Sequence, residues 1–198
     1  MRLVGQTFGR YTILEHLAAG SELYVCEMGG LEGFARRVVA KLISEGSLGL
    51  IEQARTTATL NHPNLAQLID VVRVPGGYFV VSEFIPGRSV REVQQRTASL
   101  GRVVPLAAVA SIGAQAARVL GWLHLRQRPH GAVTPRNLML GEDGAVKLTD
   151  LGISAALTRQ EGSFEVSRYR PPEWTSGGSA AGDIFALGVV LRSSPTAT

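Results

Sequence analysis

The residues best suited to chemistry are Asn137 and Asp150, an amide and a carboxylate separated by a predicted β-hairpin. Apolar runs at 137–140 and 145–149 enclose the sequence Gly-Glu-Asp-Gly at 141–144, which favours two antiparallel strands joined by a tight turn. The two side chains then lie on the loops that flank the hairpin. Amide and carboxylate oxygens are hard ligands of the kind that hold Mg²⁺ together with a phosphate-bearing substrate. The pattern therefore predicts a metal site at Asn137 and Asp150.

This stretch resembles the catalytic core of the protein kinases. That family carries a loop written His-Arg-Asp-x-x-x-x-Asn, followed by Asp-Phe-Gly. The corresponding sequence here is His-Gly-Ala-Val-Thr-Pro-Arg-Asn at 130–137, followed by Asp-Leu-Gly at 150–152. The spacing is kept, but Ala132 occupies the position of the family's catalytic aspartate. No catalytic residue is therefore assigned, and the resemblance implies a kinase-like fold around an altered centre.

Three strands are predicted near the N-terminus, at 11–18, 23–27 and 37–43, because these segments are rich in β-branched and aromatic residues between turn signals. In the family, the first turn is a glycine-rich cover for nucleotide phosphates. Of that motif only Gly20 and Val25 are kept here, and an ordinary hairpin explains the segment equally well. The resemblance implies that Gly20 and Val25 contact a nucleotide.

Lysine usage points to a special role for Lys41. The chain has 20 basic residues, of which only Lys41 and Lys147 are lysines. In a chain whose other basic residues are nearly all arginine, a lysine at the end of Val-Val-Ala-Lys indicates that this position requires a compact ammonium group. The resemblance implies that Lys41, with Ala40, binds the nucleotide. The glutamate that pairs with this lysine in the family is replaced by Gln53, in a helix predicted at 51–60, so the activating ion pair is missing.

A second hairpin is predicted from the strands 68–74 and 78–83, which enclose Pro-Gly-Gly. The residues that follow resemble the hinge between the two kinase lobes, whose backbone faces an adenine. The resemblance implies that Glu83 and Ile85 bind the nucleotide there, with Ser82 at the position that controls access to a back pocket. An ordinary loop explains this segment taken alone.

The remaining elements are predicted to be helices. Ser89 and Glu92 form a capping-box sequence that starts a short helix. Apolar residues recur at helical spacing over 105–127, and 183–191 resembles the apolar central helix of the large kinase lobe. By this resemblance, Asp183 holds the backbone of the catalytic loop.

The predicted fold class is α+β, a two-lobed kinase-like fold with an incomplete helical lobe. The expected boundaries are 1–85 for a small lobe of five strands and one helix, 86–192 for the larger lobe, and 193–198 for a tail. Because the family's large lobe continues with further helices, the last helix is expected to leave an apolar surface bare. We expect a protein partner or self-association there, at Ile184, Phe185, Leu187, Val190 and Leu191.

Composition restricts the class of protein. With 45% hydrophobic and 18% charged residues, the chain is an ordinary globular one. Its net charge of +4 is not concentrated in a basic run with aromatic residues, so no nucleic-acid binding is expected. A single cysteine, Cys26, fits a reducing compartment. The apolar segment 106–123 contains Gln115 and Arg118, which favours a buried helix over a membrane span. With no signal peptide evident, we expect a cytoplasmic protein without membrane contact.

The altered positions favour a binding protein over an enzyme. Loss of a general base typically costs roughly 10²–10⁴-fold in rate. Thr134 stands where most related kinases have lysine, and Gly131 replaces the arginine that clamps a phosphorylated activation segment. The leading interpretation is a regulatory or scaffolding pseudokinase that binds ATP and Mg²⁺ weakly. A divergent but active serine/threonine kinase and a decayed fragment without function are the alternatives.

Overall fold

A computed structural model of the chain describes residues 3–17, 22–44, 54, 56–151, 167–173 and 178–193. The chain divides into two compact units. The first comprises residues 1–61 and 67–84, and the second comprises residues 62–66 and 85–198. The residues predicted to form the glycine-rich turn and to replace the paired glutamate, Gly20 and Gln53, lie outside the described residues.

The first unit is built on one six-stranded antiparallel sheet. Its strands are β1 Thr7–Phe8, β2 Tyr11–His16, β3 Leu23–Gly29, β4 Ala35–Ser44, β5 Leu68–Val74 and β6 Gly77–Glu83. They are arranged in the order β1-β2-β3-β4-β6-β5. The three strands predicted near the N-terminus are present as β2, β3 and β4, and the predicted second hairpin is present as β5 and β6. β1 was not predicted, because two residues are too few to show an alternating pattern.

The helix predicted at 51–60 lies only partly within the described residues, where Ala54 and residues 56–58 are helical. Between β3 and β4 the chain makes a short 3₁₀ turn at Leu31–Gly33. Gly33 there has a φ of 82°, a conformation that side chains disfavour. The turn lets β3 pair with β4 over all seven of its residues, from Leu23 opposite Lys41 to Gly29 opposite Ala35.

The core of this unit lies on one face of the sheet. Alternate residues of the strands meet there, because successive side chains of a strand point to opposite faces. Its buried members are Tyr11, Ile13, Tyr24, Cys26, Val38, Ala40, Val74, Phe79 and Val81. Tyr24 and Phe79 pack edge to face, with ring centroids 5.9 Å apart. Burial in this cluster raises the pKa of the Cys26 thiol to about 11.

Arg10, Tyr11 and Asp70 form a polar network at the edge of this core. The Tyr11 hydroxyl donates a hydrogen bond to Asp70 Oδ2 at 2.7 Å, and Arg10 Nη2 donates to the same oxygen at 3.0 Å. Because β2 and β5 are not neighbours in the sheet, this contact shows that the sheet curves around its core. Partial burial alone would raise the pKa of Asp70, but hydrogen bonds from Tyr11, Arg10 and Val71 outweigh it and lower that pKa.

Over its described residues, the second unit combines three helices with a small sheet. The strands are β7 Gly87–Ser89, β8 Leu138–Gly141 and β9 Val146–Leu148, and the helices are α1 Val90–Ser99, α2 Leu106–His124 and α3 Ala180–Arg192. The predicted capping box opens α1, with Ser89 N–H donating to Glu92 Oε2 at 2.8 Å and Glu92 N–H donating to Ser89 Oγ at 3.2 Å. β7 was expected to be loop. It pairs with β8, and a Cβ on Gly87 would collide with the Leu140 carbonyl.

Helices α2 and α3 pack against each other. The expectation that the apolar residues of α3 are all bare is wrong for Leu187 and Val190, which are buried because the helix turns them inward with Ala186. Ile184 and Phe185 point the other way and are 51% and 41% exposed. The exposed apolar surface of α3 is therefore smaller than the sequence suggested.

Of the helices within the described ranges, α2 alone has the length and composition of a possible membrane span. The mean hydropathy of its most apolar 18-residue stretch is 1.4, and 33% of that stretch is buried. The inner face of α2 packs on α3 and β9. A core helix passes the same test, so hydropathy alone does not argue for a membrane span here.

Candidate nucleotide and metal site

The loop 130–137 is held by one buried carboxylate from α3. Asp183 is 2% exposed, and its Oδ2 and Oδ1 accept hydrogen bonds from the backbone N–H groups of His130 at 2.7 Å and Gly131 at 2.8 Å. His124 Nε2 lies 2.8 Å from Oδ2 and forms the third contact. Hydrogen bonds to a charged acceptor are stronger than neutral ones. The structure thus confirms the predicted role of Asp183.

His124, at the C-terminal end of α2, is the side-chain partner of Asp183. The two residues are 59 positions apart in the sequence. No local pattern marks such a pair, because only the packing of α2 on α3 brings them together.

His130 joins the loop to the end of the hairpin. Its Nδ1 accepts the Ala132 N–H at 3.3 Å, and its Nε2 lies 2.9 Å from the Thr149 carbonyl. An accepting Nδ1 and a donating Nε2 require the neutral ring with its proton on Nε2. Complete burial lowers the pKa of His130, against the opposing effect of Asp183, and this favours the same neutral form. The imidazole is therefore a structural link rather than an acid or base.

Ala132, at the position of the family's base, is 3% exposed. Its carbonyl accepts a hydrogen bond from Asn137 Nδ2 at 2.9 Å, so the loop closes on itself around this residue. A small pocket beside it is lined by residues 131–133, Tyr169, Arg170, Gly182, Asp183 and Ala186. It has space for about one water molecule. The loop is thus fully formed around a methyl group.

The hairpin brings Asn137 and Asp150 to the same end, as the sequence predicted. Leu138 pairs with Leu148, and the Thr149 N–H donates to the Asn137 carbonyl at 2.8 Å. Both side chains are half-buried. Asp150 has a φ of 63°, a left-handed conformation that aspartate adopts more readily than most residues.

Asn137 and Asp150 fit a magnesium ion by the chemistry of their donors. Among the described residues, no group of three or more histidine, cysteine or acidic side chains is arranged so that it could hold a metal ion. Magnesium commonly uses one or two protein ligands and takes the rest from waters and substrate phosphates. An ion here would therefore bind with a nucleotide rather than as a structural metal.

In the first unit, the strand register defines the face that carries Lys41. Lys41 lies opposite Leu23 on β3 and Val80 on β6, and Val39 lies opposite Val25 and Ser82. Residues directly opposite in antiparallel strands project to the same face. Val25, Val39, Ser82 and Lys41 therefore share one face, with Val25 fully buried.

The placement of Ala40 in the nucleotide site needs correction. Ala40 is fully buried in the core cluster, on the face opposite to Lys41. Adjacent residues of a strand cannot share a face. The apolar residue beside Lys41 is instead Val39, which the sequence analysis missed. Counting two residues back from the lysine would have found it.

The predicted hinge residues have different surroundings. Glu83 donates its N–H to the Gln67 carbonyl at 2.9 Å, and its Oε2 accepts the Gln67 N–H at 3.1 Å. Its side chain thus fixes the start of β5 to the end of β6. Ile85 is almost fully buried and belongs to the second unit. The predicted binding of an adenine by the backbone of Glu83 and Ile85 stays a prediction.

An antiparallel sheet carrying a lysine, a buried loop closed by His130 and Asp183, and a hairpin bearing Asn137 and Asp150 together define a domain of the protein kinase class. The family model of the protein kinase domain matches residues 35–196. The chain belongs to the protein kinase domain family.

Several bacterial relatives are similar over most of the chain. The tyrosine-protein kinase MasK of Myxococcus xanthus is 29% identical over 94% of the chain and 32% of its own length. The serine/threonine-protein kinase PrkC of Bacillus subtilis is 28% identical over 96% of the chain and 31% of its own length. The serine/threonine-protein kinase PknB of Mycolicibacterium smegmatis is 30% identical over 70% of the chain and 24% of its own length. The chain spans about a third or less of the length of these curated relatives.

Proposed function

We propose that this chain is a pseudokinase, a regulatory binding module that keeps groups for a nucleotide and Mg²⁺ but transfers phosphate poorly or not at all. The single observation that carries the proposal is Ala132, a buried methyl group at the position of the base. The loop around it is held by Asp183, His130 and Asn137. The supporting frame is therefore present, while the group that would accept a hydroxyl proton is absent.

No carboxylate in the described part of this loop can replace the missing base. Asp183 packs against the loop, but its two oxygens already contact the N–H groups of His130 and Gly131 and the imidazole of His124. Glu142 and Asp143 lie in the exposed turn of the hairpin, where Asp143 Oδ1 accepts the Ala145 N–H at 2.9 Å. Loss of a general base typically costs roughly 10²–10⁴-fold in rate. Thr134 in place of the usual lysine removes a further positive charge from the transfer site.

Nucleotide binding is supported by the groups that are kept. Lys41 supplies an ammonium on the sheet face lined by Val25 and Val39, and Asn137 and Asp150 supply oxygen ligands at the hairpin end. A bound Mg²⁺ would neutralise phosphate charge. The retention of lysine in an arginine-rich chain supports a specific role for Lys41.

Nucleotide binding is tested by calorimetry and thermal shift with ATP, with and without Mg²⁺. We expect binding by the wild type that is weakened at least tenfold by Lys41→Ala, and magnesium dependence that is lost in Asp150→Asn. Lys147→Ala and Asp143→Asn are matched controls, since they remove the same groups elsewhere. Absence of binding to every variant, the wild type included, would leave only a scaffolding role.

Phosphotransfer is tested with radiolabelled ATP and generic protein substrates. We expect no transfer by the wild type, and measurable transfer only after Ala132→Asp restores a carboxylate. Ala132→Asn is the control, because it has nearly the same shape but cannot act as a base. If the wild type transfers phosphate and Asp150→Asn abolishes that transfer, the chain is a divergent active kinase and the proposal is wrong.

A binding module needs a surface for its partner, and we propose the exposed part of α3 for it. Ile184 and Phe185 are the large apolar side chains exposed on this helix. Light scattering of the wild type and of Ile184→Glu would show whether this surface causes self-association. A monodisperse monomer that binds no hydrophobic dye would rule this surface out.

A further inference from the structure

A second polar cluster lies in the second unit, formed by the side chains of His62, Arg118, Trp122 and Arg126. The imidazole of His62 contacts the indole of Trp122, with ring centroids 5.2 Å apart. The Arg126 guanidinium lies over the same indole, 4.0 Å from its centroid. Arg118, Trp122 and Arg126 follow one another at intervals of four residues, so they lie along one side of α2 and its C-terminal extension. We call this group the His62 cluster.

The position of His62 is fixed by its neighbour Asn64. The Asn64 side chain is buried, and its Nδ2 donates to the Val146 carbonyl at 2.8 Å and to Gln115 Oε1 at 3.1 Å. The Asn64 backbone N–H in turn donates to His62 Nδ1 at 3.0 Å. This segment is therefore clamped onto α2 and β9, and His62 is held in place before any ligand arrives.

That hydrogen bond determines which nitrogen of His62 can bind a ligand. Because Nδ1 accepts the Asn64 N–H, the proton of the neutral ring must be on Nε2, which becomes a donor. Partial burial lowers the pKa of His62, and the positive charges of Arg118 and Arg126 lower it further. An anion between these groups would relieve that repulsion.

The two arginines retain most of their hydrogen-bonding capacity. Both side chains are exposed, and within the described ranges neither forms an ion pair with a carboxylate. Arg126 uses one N–H, from Nη1, on the Trp122 carbonyl at 3.1 Å. A guanidinium has five N–H donors, so several remain for an anion. The His62 cluster thus brings one imidazole N–H and two guanidinium groups to the same side of α2, with a charge of about +2.

We propose that the His62 cluster binds the phosphate monoester of a phosphorylated protein segment. Such a group carries a charge of about −1.5 to −2 at pH 7 and three acceptor oxygens, which match two guanidinium groups and one imidazole N–H. Trp122 is already contacted by His62 and Arg126, so its ring is poorly placed to insert into a bilayer or to stack on a nucleic-acid base. Of these ligands, a phosphate group on a peptide is therefore the one that the His62 cluster fits.

The test follows the fluorescence of Trp122 in the full chain. The sequence has two tryptophans, so Trp174→Phe isolates the signal of Trp122. The probes are a phosphoserine peptide, the same peptide without phosphate, inorganic phosphate, and vesicles containing an anionic lipid. Arg118→Gln and Arg126→Gln remove donors of the cluster, and the exposed Arg102→Gln removes an equal charge elsewhere.

We expect the phosphopeptide to change the Trp122 fluorescence and to bind at least tenfold more tightly than its unphosphorylated form. Each cluster variant should weaken that binding about tenfold or more, because each removes a charge-assisted hydrogen bond. Inorganic phosphate should compete, and Arg102→Gln should bind like wild type. Both arginines are exposed, so their replacement should leave the fold intact, and circular dichroism verifies this. If one variant misfolds, the other still tests the proposal.

Equal binding of both peptides, or an equal loss in Arg102→Gln, would overturn the proposal. So would binding to anionic vesicles that Arg118→Gln and Arg126→Gln abolish while the phosphopeptide has no effect. The assay uses neither ATP nor Asp150, so its outcome is independent of whether the chain is a pseudokinase.

Discussion

Replacing Asp183 by asparagine tests whether one buried carboxylate holds the loop around Ala132. Asp183 accepts hydrogen bonds from two backbone N–H groups and faces His124 Nε2. Asparagine keeps one acceptor oxygen, but its amide nitrogen would face the N–H of Gly131, and the charge is lost. A hydrogen bond to a charged group contributes about 1.5–3 kcal/mol, and an unsatisfied buried donor costs about 1–3 kcal/mol.

From these values we expect Asp183→Asn to lower the free energy of unfolding by about 3 kcal/mol. In a chain of this size that corresponds to a fall in Tm of about 6–12 °C. Urea unfolding followed by circular dichroism measures the first quantity, and a thermal melt measures the second. Hydrogen exchange provides a local readout, because the amides of His130 and Gly131 should lose protection before the amides of α3 do.

Asp143→Asn is the matched control for this substitution. Asp143 is exposed in the hairpin turn and accepts one backbone N–H, so its replacement should cost less than about 1 kcal/mol. If Asp183→Asn unfolds at the same urea concentration as Asp143→Asn, the loop is not held by this carboxylate. Unchanged exchange rates at His130 and Gly131 would lead to the same conclusion.

Three further predictions concern stability and reactivity. The folded state lowers the pKa of Asp70, so the ionised carboxylate should stabilise the fold fully above about pH 5 and lose this effect as the pH falls below about 4. The unfolding free energies of wild type and Asp70→Asn should therefore differ more at pH 7 than at pH 3. An equal difference at the two pH values would contradict this. Burial raises the pKa of Cys26 to about 11, so a thiol reagent at pH 8 should label it only in urea, and rapid native labelling would be incompatible with that burial. Gly188→Ala should raise the free energy of unfolding by about 0.5–1 kcal/mol, because the new methyl group meets no neighbour on the exposed side of α3. Gly113→Ala should give a free energy of unfolding at least about 1 kcal/mol below that of Gly188→Ala, because its Cβ would lie 2.8 Å from Leu191 Cδ1. Equal melting temperatures of the two variants would argue against this packing.

The hairpins and helix starts were predictable because their signals are local. Gly-Glu-Asp-Gly at 141–144 specifies a turn between two apolar runs, and Ser89 with Glu92 specifies a helix N-terminus. The strands β1 and β7 escaped prediction because they are only two and three residues long. Strands of that length form where a neighbouring strand offers free backbone groups, which no short sequence window reveals.

Only those site residues whose positions follow from their spacing in the sequence could be predicted. Asn137 and Asp150 were expected at one hairpin and lie at one end of it, because both are tied to the same pair of strands. Ala40 was assigned to the nucleotide site from the family resemblance, but strand alternation places it in the core, on the face opposite to Lys41. The role of His124 could not be predicted, since its partner is on another helix.

The sequence by itself determined the class of this protein and the presence of Ala132 at the position of the family's base, because both follow from residue types at fixed spacing in one stretch of chain. The tertiary structure alone decided which apolar residues of α3 are buried, how Asp183 holds the loop, and that His62 lies against Trp122. The physical reason is that these contacts depend on how helices and strands pack, and packing joins residues that are distant in the sequence.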